Sequence, residues 1–580
     1  MMMRLREGIR LKYQVMLRLL WVILIASVID IFSIPWQYAK VSMLTPVESL
    51  GLLGNSELFG VLFVVAFAIA LTLSFASFSK LGRICALVIL ALVFNNYWSL
   101  SSGGFSGELF HFASDARFIV VNGHIPYPLY YAGFPGAGLI VGQFSSILGV
   151  NPVLSTLALS ICQTIAFVLI SFGIMKALTY SEVWAVIGSI LLYEGDIAIG
   201  DRLGWFNPGM VAPFVFFPLA VLLLLRSKRS TFSNAILLSL LLLVLTITHF
   251  VTAAVMVVFM CSLVFLRKSR FYFAGGVAAI ASILLFGWQL FGIGVGAGQI
   301  SLLATLYSGA ESAFQRLPAV LSTSKTAGVG LPVWYSLVTL SWTAFVMLGA
   351  VFAIGVGLNK RDGSIGILLS GVVSSIILGL VIIPTFQFGD LIFRTFTYVG
   401  IFSVGALVSF ASRSPRSRYV PVTIAIVMII LAYPTFLSYN QGVYGSVYPA
   451  ESLTSDRYIA TFIDYDITTN FYGFSIHYPS LQYYLLGTPL AASSTVGPGF
   501  VPAVSFRTSL NNTVNGMNGL YQAFASDKSG VAVLVFDVQE WQAVTSYYPA
   551  QANSLLSHAV ANAFMRDVVY NNGEVSLVSE

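Results

Sequence analysis

Residues 136–149 read GAGLIVGQFSSILG, predominantly apolar but only fourteen residues long. A helix needs roughly 17–25 such residues to cross a bilayer core. Whether this stretch crosses decides the topology, because one added crossing inverts the side of every later loop. Its length assigns it to the surface, as an interfacial or re-entrant helix on the outer face. Around it, thirteen segments are long and apolar enough to span: 19–36, 59–78, 83–100, 153–176, 183–199, 208–225, 232–249, 250–266, 271–293, 332–358, 364–385, 391–412 and 419–437.

Charge gives an independent test of that count. With the N-terminus cytoplasmic, the inner side holds Arg4, Arg6, Arg10, Lys12, Arg18, Lys80, Arg83, Lys176, Arg226, Lys228, Arg229, Arg267, Lys268, Arg270, Lys360, Arg361, Arg413, Arg416 and Arg418. These are nineteen of the 29 Lys and Arg, and only Glu7, Glu182 and Asp362 accompany them, leaving twenty of the 23 acids outside. This is the positive-inside asymmetry, and the reverse orientation would invert it. The expected topology is N-terminus in and C-terminus out. No small-residue cleavage site cleanly follows the N-terminal basic cluster, so the first span is expected to remain as a signal anchor.

Composition agrees with a plasma-membrane, multi-pass chain. The 580 residues are 57% hydrophobic and 9% charged, with a mean hydropathy of +0.87. A soluble domain carries about 25% charge, so a cytosolic enzyme and a disordered scaffold are excluded. The pI of about 9.0 does not indicate nucleic-acid binding, because the cations lie in small clusters between apolar runs. Cys85, Cys162 and Cys261 lie inside apolar segments and are too far apart for a metal knuckle or a disulfide framework.

The expected fold is therefore mainly α: a polytopic membrane helical bundle of about thirteen spans over residues 1–438, with external loops 101–135, 193–207 and 294–331. Residues 439–580 contain no span and are expected to form a small extracytoplasmic α/β domain. VAVLVFDV (531–538) and EVSLV (574–578) have strand character, and Leu555–Val569 between them has helical character. The Asn511-Asn512-Thr513 sequon lies in this region.

The rare polar groups mark the candidate sites. In loop 101–135, a helix from about Gly107 places Glu108, His111 and Asp115 on one stripe, with Arg117 on the far side. That arrangement suits a general base or a metal site, or simply the wet face of a surface helix. In 193–207, Glu194, Asp196, Asp201 and Arg202 form the densest acidic cluster between two spans, able to hold a divalent cation or to cap two helices. His249 lies at the outer junction of two spans, either a functional group or a packing and capping residue. Arg394 stands at the outer start of an apolar helix, where it could hold a lipid phosphate or pair with Asp390 four residues earlier.

The stretch from Glu108 to Gly149 resembles the first external loop of the GT-C superfamily, polytopic glycosyltransferases that use polyprenyl-phosphate-linked sugars. The matching residues are Glu108, His111, Ala116-Arg117-Phe118-Ile119, Gly123-His124-Ile125-Pro126, Tyr130-Tyr131, Phe134-Pro135 and Leu148-Gly149. Phe-Asn-Pro at 206–208, Thr-His-Phe-Val-Thr at 248–252 and Tyr-Asn-Asn-Gly-Glu-Val at 570–575 resemble pieces of archaeal members. Two departures stand out. The family's first-loop acid is usually Asp where Glu108 stands, which leaves Asp115 as a competitor. The C-terminal region also lacks a Trp-Trp-Asp motif, which argues against transfer to sequons.

The resemblance implies a cell-envelope transferase that moves a sugar from an outer-leaflet polyprenyl-phosphate donor to an external glycan, lipid or protein. Glu108 or Asp115 would be the base, and Arg394 and Arg202 would meet the donor phosphate. Glu194, Asp196 and Asp201 would bind acceptor or metal, with His111, His124 and His249 supporting. A divalent cation, Mg or Mn, would sit among Asp196, Asp201 and Glu108. Tyr127, Tyr130, Tyr131 and Trp205 could stack on sugar faces. Membrane lipid, the lipid-linked sugar and an acceptor are the expected partners; nucleic acid is not. The rivals are a transporter or flippase of lipid-linked sugars and a non-catalytic envelope-assembly protein. The sequence shows no internal repeat, and its charges sit at span ends, unlike a midplane transport site.

Overall fold

The computed structural model describes residues 2–42, 57–76, 79–95, 105–123, 135–198, 206, 208–226, 232–265, 272–291, 333–359, 363–382, 390–413, 420–444, 447–448, 470–473, 501–502, 532–537, 568–571 and 575–579. The described residues are almost all helical. In chain order the helices are α1 (Met2–Ser42), α2 (Glu57–Ala76), α3 (Lys80–Asn95), α4 (Gly107–Asn122), α5 (Gly136–Leu148), α6 (Pro152–Thr179), α7 (Glu182–Ala198), α8 (Pro208–Val211), a π-helical stretch (Ala212–Phe216), α9 (Phe217–Arg226), α10 (Phe232–Thr248), α11 (Phe250–Phe265), α12 (Tyr272–Phe291), α13 (Val333–Asn359), α14 (Gly363–Ile382), α15 (Asp390–Ser412) and α16 (Val420–Tyr444).

The described residues of each apolar segment expected to span are helical, apart from the junction at His249. Three of the described stretches, Lys12–Ile31, Pro152–Thr179 and Gly209–Arg226, are long and apolar enough to cross a bilayer. The surface character is that of a membrane protein. Ile280 and Leu284 on α12 are 61% and 68% exposed, on a face that only lipid would leave unpenalised. Several hydroxyls inside these helices turn back on their own backbone, as an apolar surrounding favours. Thr72 donates to the Ala68 carbonyl, Ser189 to Ala185, Thr246 to Leu242 and Ser282 to Ala278, all at 2.6–2.7 Å.

The stretch 136–149 is a separate helix of thirteen residues, α5. It ends where Gly149 adopts φ 65°, a left-handed stop that glycine tolerates, with Val150 N–H donating to the Ser145 carbonyl at 3.2 Å. Asn151 then caps α6, its Oδ1 accepting from Val153 N–H at 2.8 Å, and Pro152 occupies the first helical position. Four consecutive residues therefore stop one helix and start the next.

The molecule divides into two compact units. The first comprises residues 1–101, 157–314 and 334–440 and contains most of the long helices. Its interior includes an aromatic cluster in which Phe217 meets Tyr398 edge-on at 5.3 Å and Phe402 at 5.9 Å, and Phe259 lies 5.3 Å from Phe402. At one end of this unit Glu182 pairs with Arg83 at 2.6 Å and with Lys176 at 3.4 Å. These are three residues that the charge bias assigns to one side.

The second unit comprises residues 102–156, 315–333 and 441–580. In it, strand β1 (Phe105–Ser106) leads into α4 and pairs antiparallel with β2 (Val447–Tyr448), Phe105 opposite Tyr448. Five further strands, β3 (Asn470–Gly473), β4 (Val501–Pro502), β5 (Ala532–Asp537), β6 (Val568–Asn571) and β7 (Val575–Ser579), form one mixed sheet in the order β4-β3-β5-β7-β6. β3 runs parallel to β4 and β5, whereas β7 is antiparallel to β5 and β6. The strands expected near 531–538 and 574–578 are β5 and β7. The helical expectation for 555–569 needs correction at its end, since Val568 and Val569 belong to β6. Two β-branched residues followed by Tyr570 favour an extended chain with a partner strand beside it. Residues 555–567 lie outside the described residues, as does the segment 294–331 that is expected to be external.

Candidate functional site

Each unit carries its own buried ionisable groups. Among the described residues, the buried acids and histidines are Asp115 in the second unit and Glu194 and His249 in the first.

Asp115 lies on α4, which starts at Gly107, so Glu108, His111 and Asp115 share one helix at the spacing of a single stripe. The helix packs against α5 through small residues. A Cβ at Gly138 would stand 3.6 Å from Asp115 Cβ and 3.4 Å from Ile119. One at Gly142 would stand 3.5 Å from the Ala116 carbonyl. Ala113 and Ala116 are fully buried in this seam. The Gly138-x-x-x-Gly142 spacing lets the two backbones approach as small-residue helix pairs do in membranes. Asp115 is left 6% exposed, and its Oδ1 is buried with no hydrogen-bond partner. Burial raises its pKa from 3.8 to about 7. A carboxyl with that proton affinity exchanges a proton at neutral pH, as a general base must.

In the first unit, Glu194 lies near the end of α7 and is 7% exposed, with Oε1 buried and unpaired. His249 stands between α10 and α11, also 7% exposed. Its Nδ1 lies 2.8 Å from Thr252 Oγ1, which lies 2.6 Å from the Tyr398 hydroxyl on α15. The ends of these helices can be matched through neighbouring contacts. The beginning of α7, at Glu182, is tied to Lys176 near the end of α6, and a Cβ on Gly405 in the second half of α15 would meet Leu178 of α6. Glu194 therefore lies at the end of α7 away from Glu182, and Tyr398 lies in the first half of α15, away from the Gly405 contact.

The π-helical stretch contributes to the same region. Pro213 and Pro218 each lack a backbone donor, which accommodates the wider turn, and Phe214 and Phe217 are fully buried. Phe217 meets Tyr398 edge-on.

The remaining expected residues divide by what the structure describes. Asp196, Asp390 and Arg394 lie on α7 and α15, and Glu108 and His111 on α4, but their side chains are outside the described residues. His124, Tyr127, Tyr130, Tyr131, Asp201, Arg202 and Trp205 lie outside the described residues altogether. Among the described residues no three His, Cys, Asp or Glu side chains are grouped to hold a metal ion. Thr252 and Tyr398 did not stand out in the sequence as site residues. The available signal was the spacing of Thr252 three residues after His249, and of Tyr398 one helical turn after Arg394.

No family model and no curated protein matches the chain. Among solved structures, the Archaeoglobus fulgidus oligosaccharyltransferase tethered to an acceptor peptide with an NVT sequon aligns over 87% of this chain and 72% of its own. Its identity to this chain is 12% and its TM-score 0.44. ArnT from Cupriavidus metallidurans in the apo state aligns over 81% of this chain and 93% of its own, at 12% identity and a TM-score of 0.40. Similarity of this degree identifies no corresponding residues.

Proposed function

We propose that the protein is a membrane glycosyltransferase that moves a sugar from an outer-leaflet polyprenyl-phosphate donor to an external hydroxyl-bearing acceptor. The observation that carries this reading is Asp115, a buried and unpaired carboxyl with a pKa of about 7 on the loop helix whose sequence resembles the GT-C first loop. Its neutral-pH proton affinity suits Asp115 to the role of base, with Glu108 as the competing candidate. In the reaction, Asp115 takes the acceptor's hydroxyl proton as that oxygen attacks the sugar's anomeric carbon. The bond from that carbon to the phosphate oxygen breaks, and its electron pair leaves with the polyprenyl phosphate.

Arg394 neutralises the donor phosphate, with Arg202 assisting, and the thirteen helical segments cross the membrane with the C-terminal region outside. Glu194, Asp196 and Asp201 orient the acceptor. A divalent cation, if required, has Asp196 and Asp201 as carboxylate ligands of suitable hardness, and no step above depends on it. The rival of lipid-linked sugar passage calls for ionisable groups at mid-span. Among the described residues, the buried acid and the buried histidine of the segments expected to span, Glu194 and His249, sit at helix ends instead.

The test is transfer by the full-length protein from a panel of radiolabelled polyprenyl-phosphate sugars, with and without a chelator. Asp115→Asn is expected to lower turnover by roughly 10²–10⁴-fold, and Glu108→Gln by less. Wild-type protein that turns over no donor in the panel would move the reading to transport or assembly.

A further inference from the structure

Two of the stretches long and apolar enough to cross a bilayer, Pro152–Thr179 and Gly209–Arg226, end side by side. A Cβ on Gly173 of α6 would stand 3.0 Å from Leu222 of α9 and 3.6 Å from Arg226 Nη2. The missing side chain at Gly173 lets α9 come close and leaves room for the Arg226 guanidinium to lie over α6. Leu169, Gly173 and Lys176 share one stripe of α6, at i, i+4 and i+7. Lys176 therefore stands one turn beyond the place where Arg226 rests. Glu182 pairs with Lys176 at 3.4 Å and with Arg83 of α3 at 2.6 Å. Three cations from three helices thus gather around one carboxylate, and among the described residues Arg226 has no acid of its own.

Helix ends alone do not account for this arrangement. A C-terminal turn favours a cation, and α6 and α9 each carry one there. Such a cation needs only to lie over its own last carbonyls, whereas Arg226 reaches onto the neighbouring helix. The residue after α6 adds a second observation. Tyr180 adopts φ 57° and is 82% exposed, its N–H donating to the Lys176 carbonyl at 2.9 Å. Glycine or asparagine ordinarily makes that left-handed stop, and so exposed a ring gains little packing in return for the strain. At a membrane–water interface a tyrosine has a use, with its ring among glycerol groups and its hydroxyl in water. Deeper along α6, Leu169 is 43% exposed on the stripe that leads to Lys176.

We propose that the paired ends of α6 and α9 bind the phosphate of an anionic membrane lipid, held between Arg226 and Lys176. Both cations end apolar stretches of membrane-crossing length, which puts them at the level of lipid phosphates. Arg226 supplies a bidentate fork, and Lys176, with one ammonium proton towards Glu182, supplies a second point charge. An acyl chain lies along Leu169, and Tyr180 faces the glycerol region. On the charge-derived topology this is the inner leaflet, where basic groups between membrane helices meet anionic headgroups. The site is independent of the glycosyl-transfer reading.

The experiment titrates phosphatidylglycerol or phosphatidylcholine into delipidated full-length protein in a neutral detergent and counts bound lipids by native mass spectrometry. Wild type is expected to hold one phosphatidylglycerol about 10-fold more tightly than phosphatidylcholine. Arg226→Gln and Lys176→Gln are each expected to weaken that binding about 5-fold, and together about 30-fold. Arg226→Lys keeps the charge and is expected to keep most of the binding, so that the loss in Arg226→Gln reads the cation rather than the fold. Lys12→Gln removes a cation from the start of the apolar stretch Lys12–Ile31, on the same expected side, and is expected to change nothing. Equal binding of the two lipids by wild type, or a double variant that binds phosphatidylglycerol like wild type, overturns the proposal. So does a loss in Lys12→Gln as large as that in Arg226→Gln, which assigns the binding to the general positive field of this face. Inorganic phosphate at the lipid's concentration is expected not to displace it, and displacement makes this a free-anion site and overturns the lipid assignment.

Discussion

The Thr252 hydroxyl lies 2.6 Å from the Tyr398 hydroxyl, across 146 residues of sequence, and joins α11 to α15 in the buried interior of the helical unit. Removing either hydroxyl takes one hydrogen bond from its buried partner, which costs about 0.5–1.5 kcal/mol. Removing both costs less than the sum. A double-mutant cycle with Thr252→Val and Tyr398→Phe, followed by thermal unfolding in detergent, should therefore show a coupling of about 0.5–3 kcal/mol. Strict additivity would mean that the two hydroxyls do not meet.

Asp115 makes stability depend on pH. Its folded pKa of about 7 lies above the ordinary carboxyl value of 3.8, so the folded state holds the proton more tightly. The resulting stabilisation is complete below about pH 4 and is lost as pH rises towards 7. Between pH 4 and pH 8 the stability of wild type relative to Asp115→Asn should fall by up to about 4 kcal/mol. Melting curves of the two proteins across that range supply the comparison, and parallel curves would contradict the buried carboxyl.

The same group governs rate if Asp115 is the base. Turnover should rise with pH through about 7 as the carboxyl deprotonates. In Asp115→Asn that limb of the profile should vanish. Should the wild-type limb persist in the variant, another group is the base.

Gly371 on α14 faces the Phe402 ring so closely that a Cβ there would overlap it. Phe402 cannot swing away freely, because Phe217 and Phe259 pack against it. Gly371→Ala should destabilise the protein by about 1–3 kcal/mol, whereas Gly276→Ala, with nothing within 4 Å of the added methyl, should not. Comparing their unfolding midpoints tests the packing directly.

The Glu182 pairs with Arg83 and Lys176 are partly exposed, at 21–36% of the side-chain surface. Glu182→Gln should cost no more than about 1 kcal/mol, and less at high salt. A larger loss would mean that these charges hold the helix ends together more strongly than a surface ion pair does.

The helical plan was legible locally. Thirteen apolar runs and the Gly149-Val150-Asn151-Pro152 junction specify where helices stop and start, because hydrophobic length, left-handed stops and caps act within a few residues. Loop helix α4 was legible for the same reason, and with it the shared stripe of Glu108, His111 and Asp115. Val568 and Val569 were less so, since an extended conformation there depends on pairing with β7, a partner supplied by the sheet.

By itself, the sequence of this protein determined a membrane-dwelling helical chain and the short list of rare ionisable residues. Only the tertiary structure decided which of them are buried. Asp115 owes its proton affinity to burial against the glycine seam of α5, and His249 is joined to a threonine on the next helix and, through it, to a tyrosine far along the chain. Desolvation and hydrogen bonding depend on what surrounds a side chain in space, which spacing along the chain does not encode.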